Sequence, residues 1–150
     1  MHFNEVESLL QTKCPFHLGF SRWISIEQEE VDVFARLTGD LQRIHIDPKW
    51  AYTDGPFSMP IIHGAFLLAL VPVIVGELVV VESCNYIVNI GMDRVRFKSP
   101  APVGSRLQGE GVLREVMQIS RGIVIVARVT IRTEETNQPV CLADQKMMFC

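Results

Sequence analysis

Runs of basic residues are missing from this sequence. Its 150 residues carry 14 Lys and Arg against 17 Asp and Glu, for a net charge of −3, and no stretch gathers the positive charge on which nucleic-acid binding relies. DNA and RNA are therefore excluded as partners. Closely spaced cysteines are missing too: Cys14, Cys84, Cys141 and Cys150 lie far apart, without the spacing of a zinc knuckle or a redox dithiol. They read as free thiols in a reducing cytoplasm, and no metal or other cofactor is expected. Residues 1–13 mix Asn4, Glu5, Glu7 and Gln11 with scattered apolar positions, so neither the basic nor the apolar part of an export signal is expected there. Internal repeats and low-complexity tracts are likewise absent.

One long apolar run is present. Residues 61–81 are apolar apart from His63 and Glu77, and about 20 such residues suffice to cross a bilayer. No positive cluster flanks the run, Asp54 and Glu82 stand on either side of it, and Pro72 and Gly76-Glu77 interrupt it. The expectation is a helix buried in protein, with no membrane partner. The chain is 48% hydrophobic and 21% charged, and a chain of this length buries roughly 70% of the surface it would expose unfolded. A single domain over residues 1–150 follows.

Local signals divide the chain. Ser25-Ile26-Glu27-Gln28 has the pattern of a capping box and predicts a helix from that point, with Val31, Phe34, Ala35 and Thr38 as its inner stripe and Gly39 as its stop. Asp47-Pro48 has the form of an N-cap followed by proline in the first turn, which predicts a short helix over 49–52 and makes 40–46 a tight link. Gly55, Pro56 and Pro60 place a loop over 53–60, after which the apolar helix runs over about 64–80. Beyond Glu82 the apolar period falls to two, and strands are predicted over 86–90, 94–98, 105–116, 122–132 and 140–149, with Gly91 as a bulge or break. Turns fall over 99–104 and 134–139. Helices first and a strand meander after them give an α+β fold, its sheet wrapped around the apolar helix, which is how that helix can be apolar on every side.

Two places can carry chemistry. Asp40 and His45 stand five apart in the link, where a carboxylate and an imidazole can hold one water between them and the imidazole can exchange protons near neutral pH. For an arbitrary Asp and His this would be loop structure, but here helix signals on both sides fix the loop. The second is Ile61-Ile62-His63-Gly64, at the start of the apolar helix, where free N–H groups and the positive helix end can receive a developing oxyanion. His63 alone reads as a cover on the helix entrance.

These residues carry a resemblance. Asp40-Leu41-Gln42-Arg43-Ile44-His45 within Thr38 to Pro48, followed by Pro60-Ile61-Ile62-His63-Gly64, resembles the Asp-x4-His signature and central-helix start of the MaoC-like (R)-specific enoyl-CoA hydratases. Asn89-Ile90-Gly91-Met92-Asp93-Arg94-Val95-Arg96-Phe97-Lys98-Ser99-Pro100-Ala101-Pro102-Val103-Gly104-Ser105 is similar to the nodulation-protein-N-like branch of that family. The resemblance implies a hot-dog fold, a long antiparallel sheet curled around one helix, paired into a homodimer. It also implies syn addition of water to a trans-2-enoyl thioester of CoA or an acyl carrier, or the reverse dehydration. Asp40 and His45 would then orient the water and handle its protons, and the N–H of Gly64 would bind the thioester oxygen. The signature often has Asn two residues after its Asp; Gln42 stands there and makes similar hydrogen bonds with a longer reach. His63, Gln42, Phe57 and Met59 are expected to contact substrate, with Trp50 and Tyr52 near the same loop. Arg94, Arg96 and Lys98 are expected to share one solvated strand face. A hot-dog thioesterase and a non-catalytic acyl-binding protein are the competing readings, and fold alone does not separate them.

Overall fold

The computed structural model describes residues 1–150. Helix α1 (Gln28–Thr38) starts two residues later than the Ser25 pattern predicts, because Glu27 accepts from the third helical N–H while the Glu30 carboxylate reaches back to the Glu27 N–H at 2.6 Å. A carboxylate does the same capping work as a serine hydroxyl and also complements the helix dipole. Val31 and Ala35 are buried, Phe34 is half-buried, and Thr38 is exposed, returning its hydroxyl to the Phe34 carbonyl. Gly39 ends the helix at φ 80°, the left-handed geometry expected of it.

The link that follows is not plain loop. It contains a helical turn, α2 (Arg43–Ile46), which runs directly into α3 (Pro48–Thr53) through Asp47. The Asp47 carboxylate accepts from the Trp50 N–H at 3.0 Å and from the Arg43 guanidinium at 2.8 and 3.1 Å. The Trp50 N–H first, and Arg43 after it, hold the Asp47 carboxyl below the usual carboxylate range. Helix α4 (Gly64–Leu78) is the apolar segment, and no helix of the structure is long and apolar enough to cross a membrane.

Five long or central strands form one antiparallel sheet in the order β2 (Phe16–Phe20), β6 (Arg106–Ile119), β7 (Gly122–Thr133), β8 (Pro139–Phe149) and β5 (Ile87–Phe97), with β3 (Ile24–Ser25) also on β6. The two short strands predicted over 86–98 are one strand. Its register slips at Asn89/Gly91 and again at Asp93/Arg96, so Gly91 is a bulge and not a break. The second slip, with Arg94 at φ 52°, also removes the simple alternation of Arg94, Arg96 and Lys98; Arg94 turns to Asp144 at 3.3 Å. Strands β2 and β3, and the parallel pair β1 (His2–Phe3) and β4 (Val80–Val81), carry no alternation long enough to announce them and exist because longer partners accept them. Helix α4 consequently stops at Leu78.

The core lies between α4 and the inner sheet face, where Leu67, Val71, Ile74, Val75 and Leu78 meet Ile123, Ile125, Ala127, Val129 and Ile131 of β7. Gly109 and Gly111 on β6 let the helix approach, since a Cβ on them would fall 2.7 Å from Ile74 and 2.5 Å from Leu78. This is a hot-dog arrangement. The helix is not buried all round, however. Ala65, Ala69, Val73 and Gly76 form an exposed apolar stripe, because a single sheet shields only one side.

Candidate active site

Three segments distant in the chain meet at the start of α4. The turn over 99–104 docks first: the Ile62 N–H bonds the Ala101 carbonyl at 2.8 Å, and the Val103 N–H bonds the Pro60 carbonyl at 3.0 Å. The Ile61 N–H then bonds the Ile44 carbonyl of α2 at 3.0 Å. From the other side, Gln28 on α1 donates to the His45 main-chain carbonyl at 2.7 Å and to Asp32 at 2.8 Å. The link that carries Asp40 and His45 is thus clamped between α1 and the Ile61 segment.

Inside this clamp His45 is 5% exposed, and its Nδ1 lies 2.7 Å from the Ile61 carbonyl. A carbonyl oxygen only accepts, so Nδ1 carries the proton and Nε2 is left as a bare base. Burial pushes the imidazole below its ordinary value, and the neighbouring His63 adds to this; the Ile61 carbonyl and the Asp40 carboxylate pull the other way. The ring is therefore neutral at neutral pH. Asp40 is half-buried, and its Oδ1 accepts from Gln42 Nε2 at 3.1 Å, so Gln42 supports the carboxylate as an asparagine would from a shorter stem.

His63 is 1% exposed, with Nε2 3.0 Å from the Asp40 main-chain carbonyl and its ring stacked on His45 at 3.7 Å and 23°. The ring presents no exposed polar edge and packs against His45 and Phe34. Asp40, His45 and His63 have potential ligand atoms within 4.8 Å of one another. They nonetheless do not converge on one ion: a metal must lie in the plane of each imidazole that binds it, and two near-parallel stacked rings cannot both satisfy that. The donor set suits proton transfer instead.

Gly64 opens α4 beside the pair. The His63 carbonyl accepts from the Phe66 and Leu67 N–H groups, at 3.0 and 3.1 Å, so the N–H groups of Gly64 and Ala65 stand ahead of the helical hydrogen bonds. A Cβ on Gly64 would press on the Phe97 ring at 3.1 Å, which gives that glycine a steric reason.

Asp40, Gln42, His45, His63 and Gly64 are thus brought together as a set. Phe57 and Met59 lie in the loop before Ile61, one exposed and one half-buried, and Trp50 is occupied under the Arg43 guanidinium at 4.6 Å. Sequence reading missed the Gln28 clamp and the Ile61 carbonyl, for which no local pattern exists. It also missed a cleft of about 360 Å³ between α1 and α4, lined by Val33, Phe34, Leu37 and Phe66 with Glu29 and Glu30 at its rim. Phe34 packs against both His63 and Phe66, with ring centroids 5.1 and 4.8 Å apart, so the cleft adjoins the stacked histidine rings.

At the start of its central helix the hot-dog sheet thus carries a buried neutral imidazole, a carboxylate and a glycine. A family model described as "MaoC like domain" matches residues 11–136, and the chain belongs to the MaoC-like dehydratase family, which places it among the hydro-lyases. It is 39% identical over 133 residues to 3-hydroxyacyl-thioester dehydratase Z of Mycobacterium tuberculosis, covering 88% of this chain and 87% of that protein. It is 38% identical over 129 residues to Nodulation protein N of Rhizobium meliloti, covering 85% and 80%. The solved (R)-hydratase from A. caviae involved in PHA biosynthesis shares the fold, with a TM-score of 0.74 at 20% identity over 93% of this chain and all of that one.

Proposed function

We propose that the protein hydrates trans-2-enoyl thioesters to (R)-3-hydroxyacyl thioesters and catalyses the reverse dehydration. The observation that carries this reading is the tautomer of His45. Its Nδ1 proton is committed to the Ile61 carbonyl, leaving Nε2 free beside the Asp40 carboxylate. A water held by the two loses a proton as its oxygen bonds C3, and a proton is delivered to C2 from the same side. Charge developing on the thioester oxygen is met by the Gly64 N–H at the positive end of α4. No step is redox, and nothing in the arrangement expels the thiol. Phe57 and Met59 border the acyl group in this reading, and the similarity to a 3-hydroxyacyl-thioester dehydratase supports an acyl thioester as substrate.

Crotonyl-CoA tests the reading, because it holds both the double bond that a hydratase attacks and the thioester that a thioesterase cleaves. The enoyl absorbance should fall without release of free CoA, and chiral analysis should identify the (R)-3-hydroxy product. Free thiol appearing in step with substrate loss would make the protein a thioesterase. Binding of enoyl thioesters of several chain lengths without turnover would make it an acyl-binding protein.

The proposal includes a homodimer. Strand β5 pairs only with β8, so its other edge is open over eleven residues, and Ile87, Val88, Ile90 and Phe97 on it are exposed. An open apolar edge of that length favours pairing with a second copy. Light scattering at micromolar concentration should give twice the chain mass; an active monomer would refute it.

A further inference from the structure

Beside the catalytic pair lies a third ring that the reaction above does not use. His63 Nε2 donates to the Asp40 carbonyl, so its Nδ1 is a bare acceptor, and that atom is buried with no hydrogen-bond partner. An unpartnered buried acceptor is unfavourable, and an apolar side chain of similar size would remove that cost while giving up the bond to the Asp40 carbonyl. What the imidazole provides in exchange is visible in its contacts. One side chain reaches back 23 positions to fix the main chain of Asp40, presents one face to His45 at 3.7 Å and lies near Phe34 at 5.1 Å. It is also the residue covalently joined to Gly64. Acid, base and oxyanion donor are therefore all referenced to this ring.

We infer that His63 is the positioning residue of the active site, holding Asp40 by its Nε2–H and His45 by its ring face at a set distance from the Gly64 N–H, without touching substrate. The inference rests on the hydratase reading above. It separates from mere space-filling, since phenylalanine or methionine would fill the same space and would also relieve the orphaned nitrogen.

The test uses H63F, H63M and H63Q with the wild type and D40N, each measured for melting temperature and for kcat and KM on crotonyl-CoA. H63F and H63M lack the donor and should lower kcat about tenfold or more, as misplaced reacting groups do, with KM within threefold and a cooperative melt, since relief of the orphaned Nδ1 offsets the loss of the bond to the Asp40 carbonyl. H63Q keeps a donor and should recover at least threefold of the lost kcat. Either donor-less variant that folds is sufficient. The inference is overturned if a folded donor-less variant keeps kcat within twofold, if the loss falls on KM alone, if H63Q does no better than H63F, or if none of the three folds. A wild type that binds but never hydrates enoyl thioesters overturns the hydratase reading and this inference with it. An active wild type and an inactive D40N beside unaffected His63 variants overturn this inference alone.

Discussion

Asp40→Asn and His45→Gln should each lower hydration by about two orders of magnitude or more while the fold persists. Asparagine keeps the shape of Asp40 and can still meet Gln42, so what is removed is the negative charge and the proton-accepting oxygen. Glutamine at 45 can retain a donor toward the Ile61 carbonyl, but it has no nitrogen base to stand where Nε2 stands. Circular dichroism on each variant, with turnover of crotonyl-CoA, separates loss of chemistry from loss of structure; wild-type turnover in both folded variants would refute the assignment. The pH profile of the wild type adds a signed expectation. His45 is held below its ordinary value of 6.5, chiefly by burial, so it is still neutral and competent as a base at that pH. The acid limb of kcat/KM should therefore lie below pH 6.5. The same shift bears on stability: the unfolded chain takes up this proton before the native one does, so the native state loses stability as pH falls from about 6.5 toward the folded value, and gains nothing above it.

Ile74→Ala should be the most damaging single truncation at the seam between α4 and the sheet, destabilising by roughly 2–5 kcal/mol. Ile74 is 1% exposed, and it fills the space over Gly109 that a Cβ there would occupy. Its loss leaves a cavity between a helix and a strand that cannot collapse freely, since β6 is fixed by β7 along its whole length. At about 2–4 °C per kcal/mol for a domain of this size, the melting temperature should fall by several degrees or more. Gly109→Ala alone should destabilise by about 1–3 kcal/mol through overpacking, because its methyl would meet Ile74 at 2.7 Å. Combined with Ile74→Ala, the new methyl enters the vacated space, so the double variant should be more stable than the two single losses added together. Strict additivity in thermal melts would show that the helix has shifted away from the strand.

The local signals at Gly39 and Asp47-Pro48 were legible because each is satisfied within one turn of chain: a left-handed φ after the helix in the first case, a carboxylate on the third N–H in the second. The spacing of Asp40 and His45 and the apolar run that becomes α4 were legible as patterns of residue type along the chain, whatever distant segment later packs against them. Strands β2 and β3 were not, because two to five residues hold no pattern and depend on the edge of β6 that receives them. The capping box was displaced by two residues because serine and glutamate both suit the position, and only the path of β3 into α1 selects between them.

By itself the sequence determined which residue types could do chemistry, that they stand between two capped helices, and that an apolar helix begins at His63-Gly64. The tertiary structure alone decided that His45 is a buried, neutral imidazole with its proton on Nδ1. Its tautomer is set by the Ile61 carbonyl 16 residues away, and its neutrality by burial, with the His63 ring stacked on it. Likewise only the fold turned His63 inward onto Asp40 and left one stripe of α4 uncovered. Propensity and capping act over a few residues and can be read along the chain, whereas the protonation state of a buried ring depends on which distant carbonyl and which side chains exclude water from it.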